Sequence, residues 1–459
     1  MKKLIPLLAL LALLLCGCME PAAQADPTTE APTTEAPTTL PPTEAPPDIG
    51  GTVLTTDTKA LDLSQMAYEY DALIAAAGQL PDVTHIELGA TELTAAQVEG
   101  IRQAYPQAEI SYRVLLLGEE LEPDTAFLDL SQMSPDQAEA VAASLPLLTG
   151  LEEINFVRDE VCAFDLTNIH LLDLIREAAP QALLRVRFEL FGQIVTSEDE
   201  RIEYYLVEIG NEGVESVRAV LPYLSSCTYF LMDGCGVDNE VMAQLREDFP
   251  QTKIVWRVWL AGPFYGNSKL TRRASLLTDT KLIRTVVVTD KTSYLLGYCN
   301  ETKYMDLGHN PYLSNCEFVR NMPDLEAAIL GLTEISDISP LSSCTNLEYL
   351  ELFSCKVSDL SPLSACVNMK HLNVSNLPGV TDLSPLYTMT KLERYRGVMN
   401  TGVTQEEMDA LAAALPQCNI LDRGWDPTEN GWRTDECGNY VPRYALLREQ
   451  MEYDLWSHA

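Results

Sequence analysis

The chain has 459 residues and a formal charge of −36, from 67 Asp and Glu against 31 Lys and Arg. That excess of acid favours solubility and argues against nucleic acid or anionic lipid surfaces as partners. Beyond the N-terminus, roughly 400 residues suffice for two or three ordinary domains or for one long repeat array.

Residues 1–17 read as an export signal, with Lys2 and Lys3 followed by an apolar run from Leu4 to Leu15 that is too short to span a bilayer. The string Leu15-Cys16-Gly17-Cys18 resembles a bacterial lipobox. The resemblance implies cleavage before Cys18, lipidation of its thiol and anchorage on the extracellular face of a bacterial membrane; an ordinary cleaved secretory signal is the alternative. No later segment has eighteen uninterrupted apolar residues, so the lipid is the expected membrane attachment. Residues 18–52 are dominated by Pro, Thr, Ala and Glu, with near-copies of Thr-Thr-Glu-Ala-Pro and no apolar face, and are expected to form a disordered linker reaching on the order of 90 Å.

Residues 53–316 carry divergent strand-helix repeats. Three segments align without gaps, Pro106 through Arg113 to Gly118, Pro180 through Arg187 to Gly192, and Pro250 through Arg257 to Gly262, and Pro416 to Arg423 is a partial fourth. Thr94-Ala95-Ala96-Gln97 and Thr404-Gln405-Glu406-Glu407 have the capping-box pattern of a helix start. After each Pro-Gln the pattern alternates, as in Ile110, Tyr112, Val114 and Leu116, which predicts a strand. Helices should end at Leu80-Pro81, Leu145-Pro146 and Leu221-Pro222. The repeated arginines either form a stripe facing an acidic ligand or pair with neighbouring acids, and the acidic composition favours pairing. Residues 263–316 are the least regular part.

Residues 317–421 show a 22-residue period starting at Leu325, Leu347 and Met369, with a fourth turn at Leu392. In each turn a strand pattern such as Leu347, Leu350 and Leu352 is followed by Asp337-Ile338-Ser339-Pro340-Leu341 or its counterparts at Asp359 and Asp382. These turns resemble internalin-type bacterial leucine-rich repeats, departing from them where the family has asparagine and this chain has Thr333, Cys355, Leu377 and Asn400. The resemblance implies an α/β, leucine-rich-repeat-like solenoid with parallel strands on its concave face and helices and short turns on its convex face. Small α/β domains followed by a short repeat domain are the competing arrangement for the chain as a whole. Residues 422–459, with Trp425 and Trp432, are expected to cap the last turn, or to form a separate module with exposed Trp.

The side chains between the strand leucines should face solvent on the concave side: Tyr349, Glu351 and Phe353, then His371, Asn373 and Ser375, then Arg394 and Arg396. Aromatic, imidazole and arginine groups together are typical interface anchors, so these are the expected ligand-binding residues. The five histidines are scattered, and no GxSxG elbow, Walker loop or HExxH pair occurs, so neither catalytic residues, a metal nor a cofactor is expected. Ten of the twelve cysteines lie beyond the signal without paired spacing and are expected to be mostly free thiols, with Cys227/Cys235 and Cys299/Cys316 as candidate pairs. The expected function is that of a non-enzymatic surface lipoprotein binding an extracellular protein or glycan; an extracellular hydrolase and a self-associating envelope protein are the rivals.

Overall fold

A computed structural model describes residues 47–264 and 267–456. The export signal, Cys18 and most of the linker lie outside the described residues.

A small hairpin, β1 (Asp48–Ile49) and β2 (Thr52–Val53), leads into three copies of one unit. The first runs β3 (Ala60–Asp62), α1 (Tyr70–Ala76), β4 (His85–Thr91), α2 (Ala95–Ala104), β5 (Glu109–Leu116) and β6 (Glu119–Leu121). The three longer-range strands are parallel and β6 folds back antiparallel on β5. The second unit runs β7 (Phe127–Asp129), α3 (Ala138–Ser144), β8 (Glu153–Asn155), an inserted hairpin of β9 (Val157–Arg158) and β10 (Val161–Cys162), α4 (His170–Ala178), β11 (Leu183–Arg185), β12 (Arg187–Leu190) and β13 (Gln193–Thr196). The third runs β14 (Arg201–Tyr205), α5 (Gly210–Val220), β15 (Tyr229–Asp233), α6 (Asn239–Asp248), β16 (Lys253–Phe264) and β17 (Asn267–Leu277). The three aligned segments of the sequence are therefore the closing strand and hairpin of each unit.

Local chemistry explains these elements. Thr94 Oγ1 accepts from the Gln97 amide at 3.3 Å while Gln97 Oε1 accepts from the Thr94 amide at 2.9 Å, completing the expected capping box. At Thr404 only half of the box forms, because Glu407 turns its carboxylate to the Leu383 amide of the preceding turn. At Leu145-Pro146 and Leu221-Pro222 the helix tightens into a short 3-10 turn before stopping. Gly118 and Gly192 sit at positive φ after Leu117 and Phe191, also at positive φ, which is the backbone of a two-residue hairpin turn. The aligned Gly262 does something else: a Cβ there would lie 2.3 Å from the Val287 carbonyl oxygen, so glycine lets the longer third hairpin press against the next turn.

Seven parallel strands follow: β18 (Leu282–Arg284), β19 (Tyr304–Asp306), β20 (Ala327–Ile329), β21 (Tyr349–Glu351), β22 (His371–Asn373), β23 (Arg394–Arg396) and β24 (Asn419–Leu421). Two turns thus precede the first turn legible from periodicity. On the return side, Asp337, Asp359 and Asp382 each accept the amide of the Ser two residues on at 2.8 Å and open the 3-10 turns, where Pro fits because its missing N–H needs no partner. Where asparagine is replaced, the hydrogen bonds are rebuilt differently. Thr333 Oγ1 donates to the Leu330 carbonyl, and the Leu377 amide is taken by Asn400 Oδ1 of the next turn.

Strand pairing is broken at the hairpins, yet buried apolar side chains from Ile49 to Leu415 form one contiguous core beneath all the sheets. The inner-facing leucines of each turn, such as Leu350, Leu352 and Leu372, are fully buried in it. Cys344, Cys366 and Met389 stack in it as core fillers. All ten described cysteines are free, including Cys227, Cys235, Cys299 and Cys316. Of the repeated arginines, Arg113 meets Glu120, Arg187 lies 4.0 Å from Glu160, and Arg257 grips Asp233 with two bonds of 2.7 Å. Arg423 is exposed beside Asp422.

Candidate functional site

The eight residues expected to bind a ligand do project from one face of β21, β22, β23 and the turns after them, as strand alternation requires. The expectation that they face solvent is corrected by the structure. Tyr349, Glu351, Phe353, His371, Asn373, Ser375 and Arg396 are all buried, and only Arg394 is partly open. The chain's own C-terminal segment, residues 425–456, lies over them.

That segment retraces the sheet from its last strands toward its first. Arg396 Nη2 donates to the Asp426 carbonyl at 2.7 Å, and Asn373 Nδ2 to the Pro427 carbonyl at 2.9 Å. Trp432 Nε1 then donates to Glu351 Oε1 at 2.7 Å, and Arg433 forks onto both oxygens of the same carboxylate. Tyr349 also donates to Glu351, so this fully buried acid is held by three residues. After a turn in which Asp435 accepts the Cys437 and Asn439 amides, α7 (Pro442–Gln450) drops Tyr444 and Leu447 against Ala327, Ile329 and Tyr349. Finally Tyr453 donates to Asp306, and Arg284 donates to the Met451 carbonyl at 3.1 Å.

The chemistry of this closure follows from burial. Polar groups taken from water must find partners inside the protein, and Glu351, Asn373, Arg396 and Asp306 each find one on the strap. Burial opposes the Arg433 charge, but Glu351 more than offsets it and holds the guanidinium protonated. Burial raises the Asp306 carboxyl despite the bond from Tyr453. His371 is driven to about 3 by burial and then by Arg443, Arg394 and Lys370, so its ring is neutral. Rings and cations interleave over the same face: Tyr349 and Trp432 have centroids 5.6 Å apart, Arg394 sits 5.5 Å from the Trp432 ring, and Arg433 lies 5.6 Å from the Phe353 ring.

The covering residues were legible only in part. The i, i+3, i+7 spacing of Tyr444, Leu447 and Met451 marks an apolar helix face, but nothing in the sequence says which surface it meets. Trp432 and Arg433 carried no signal distinguishing them from the exposed Trp425.

A different face is open. On β14–β16 the side chains of Tyr205, Asp233, Arg257 and Trp259 share one side of the sheet, with Tyr205 and Trp259 56% and 57% exposed around the Arg257–Asp233 pair. Tyr229 lies nearby on the same face, its ring 3.5 Å beneath the Arg201 guanidinium. Among the described residues no group of three or more His, Cys, Asp or Glu is placed to hold a metal ion, and no helix is long and apolar enough to cross a membrane.

The family model for Leucine Rich repeats (2 copies) matches residues 345–388, the turns of β21 and β22. Among solved structures the chain is similar to an internalin C2 from Listeria monocytogenes, at 22% identity over 32% of this chain and 73% of that one, with a TM-score of 0.26. A second internalin from that species is 11% identical over 79% of this chain and 91% of its own, with a TM-score of 0.24. A leucine-rich-repeat protein from Leptospira interrogans is 10% identical over 75% and 74%, with a TM-score of 0.24. No curated protein matches the chain.

Proposed function

We propose that the chain is a bacterial surface lipoprotein, tethered through Cys18, whose repeats form one leucine-rich-repeat solenoid that binds an extracellular protein. Residues 18–52 act as the spacer that carries the array clear of the membrane, and recognition works by surface complementarity, with no bond made or broken. One observation carries the choice of surface: Tyr205 and Trp259 stand more than half exposed around Arg257 on one sheet face, while the aromatic face at 349–396 is filled by the chain itself. Tyr, Trp and Arg are the residues that most often anchor protein interfaces, Tyr and Trp because they supply large contact area with few rotatable bonds, and Arg because its planar guanidinium stacks and forms paired hydrogen bonds.

The test is a photo-crosslinking amino acid at Trp259 in cells displaying the full chain, with Val367, 55% exposed on the return side, as the control position. Adducts of one protein at Trp259 and none at Val367 support the reading; equal adducts at both, or glycan adducts, count against it. Metabolic incorporation of an alkynyl fatty acid, lost in Cys18→Ala, tests the anchor.

A further inference from the structure

The third hairpin differs from the other two in length, charge and what lies beside it. β16 and β17 run for 12 and 11 residues, against 4 each in β12 and β13, and β17 is the edge of its sheet. Between Lys253 and Thr278 the sequence holds Lys253, Arg257, Lys269, Arg272 and Arg273 and not one acid, in a chain whose net charge is −36. Lys269, Leu270, Arg272 and Arg273 are exposed. An antiparallel edge strand points alternate N–H and C=O groups away from its partner. Among the described residues, no main chain other than β16 bonds to residues 269–276. Ala274, Ser275 and Leu276 of this strand also line a cleft of about 500 Å³ together with Lys281, Arg284 and Glu452.

We propose that the outer edge of β17, residues 269–276, docks an extended acidic segment of a partner protein as an added strand. Main-chain hydrogen bonds supply the register, and carboxylates on one face of the added strand meet Lys269 and Arg273, while Arg272 adds positive charge on the opposite face of β17. Charge selects this occupant over a second copy of the chain, because edge-to-edge pairing would set the same cations against each other. Open backbone groups in strand register favour a peptide over an anionic glycan, which has no matching ladder to offer. The Trp259 and Ser275 pair joins the edge to the open face assigned above, so the inference rests on the protein-binding reading and names its partner's chemistry.

Fluorescence anisotropy of the full chain with a labelled ten-residue peptide of alternating Glu and Thr tests this. The expected result is binding that weakens about tenfold or more when alternate peptide amides are N-methylated, in Arg272→Glu/Arg273→Glu, and in the milder Lys269→Glu if the double variant misfolds. The peptide of alternating Lys and Thr should not bind. Equal affinity for the N-methylated peptide, or displacement by a heparin oligosaccharide as strong as by the unlabelled peptide, overturns it, as does a concentration-dependent dimer lost in Arg272→Glu/Arg273→Glu. If the peptide fails to bind while Trp259 still crosslinks a single protein, the edge assignment falls and the protein-binding reading stands; peptide binding without a crosslinked partner is the opposite case.

Discussion

The indole of Trp432 donates to Glu351 Oε1 at 2.7 Å across 81 residues of sequence, joining the strap to the middle strand of the seven-stranded sheet. Because Arg433 forks onto the same buried carboxylate, removing the acid strands a buried guanidinium. Glu351→Ala is expected to cost about 3–5 kcal/mol in urea unfolding, and Trp432→Phe, which keeps most of the apolar area, about 1–3 kcal/mol. Replacing Glu351 and Arg433 together by Met should recover most of the loss, since neither charge is then left alone. A double variant as unstable as Glu351→Ala would show that the pair is not the clasp.

His371 makes acid stability depend on the strap. The residue is 4% exposed, its pKa is lowered from 6.5 to about 3, and Glu393 at 3.8 Å is too far and too exposed to offset burial and the cations Arg443, Arg394 and Lys370. The unfolded chain takes up a proton near 6.5 and the folded chain does not, so this group's stability is present above 6.5 and is lost as pH falls toward 3. Wild type minus His371→Gln, compared by urea unfolding, should lose up to about 1.4 kcal/mol per pH unit between those limits. A difference independent of pH would contradict a neutral, buried imidazole.

Thiol reactivity reads the core directly. Cys437 is exposed, Cys162 and Cys418 are half-buried, and burial pushes the thiols of Cys299, Cys316 and Cys366 up to about 12. A thiol must ionise and be reached to alkylate. Iodoacetamide on the native chain should label Cys437 first and leave Cys299 and Cys316 unlabelled until denaturant is added. A Cys299–Cys316 linked peptide in a non-reduced digest would overturn this.

The return-side caps should matter less than the leucines they introduce. Asp359 accepts the Ser361 amide at 2.8 Å in the open, so Asp359→Ala is expected to cost roughly 0.5–2 kcal/mol, as other lost caps do. Leu363→Ala, fully buried in the same turn, is expected to cost about 2–5 kcal/mol, because it leaves a cavity. Thermal unfolding of the two variants should therefore keep that order.

What the sequence disclosed was local. The box at Thr94, the alternation through Ile110 to Leu116 and the Asp-x-Ser-Pro-Leu returns are set by neighbours within a few residues, and each forms where it was read. The leucine-rich-repeat turns were legible for the same reason, since Leu347, Leu350 and Leu352 recur at a fixed spacing. The turns of β18 and β19 were missed because their strand positions hold Ile283 and Met305 and their returns lack the Asp-x-Ser-Pro string. The solvent-facing reading of Tyr349, Glu351 and Phe353 failed for a non-local reason. Alternation fixes the face a side chain takes, but only tertiary structure decides whether 425–456 lies on it.

Hydroxyl-radical footprinting of the intact chain, read residue by residue by mass spectrometry, tests most directly whether the strap closes the inner face of the seven-stranded sheet. Trp425, Trp259 and Tyr205 should oxidise rapidly, and Trp432, Tyr349 and His371 roughly tenfold more slowly, in proportion to their burial. Trp432 and Tyr349 oxidising as fast as Trp425 would mean that the face is open and that the eight residues first expected to bind a ligand are available to do so.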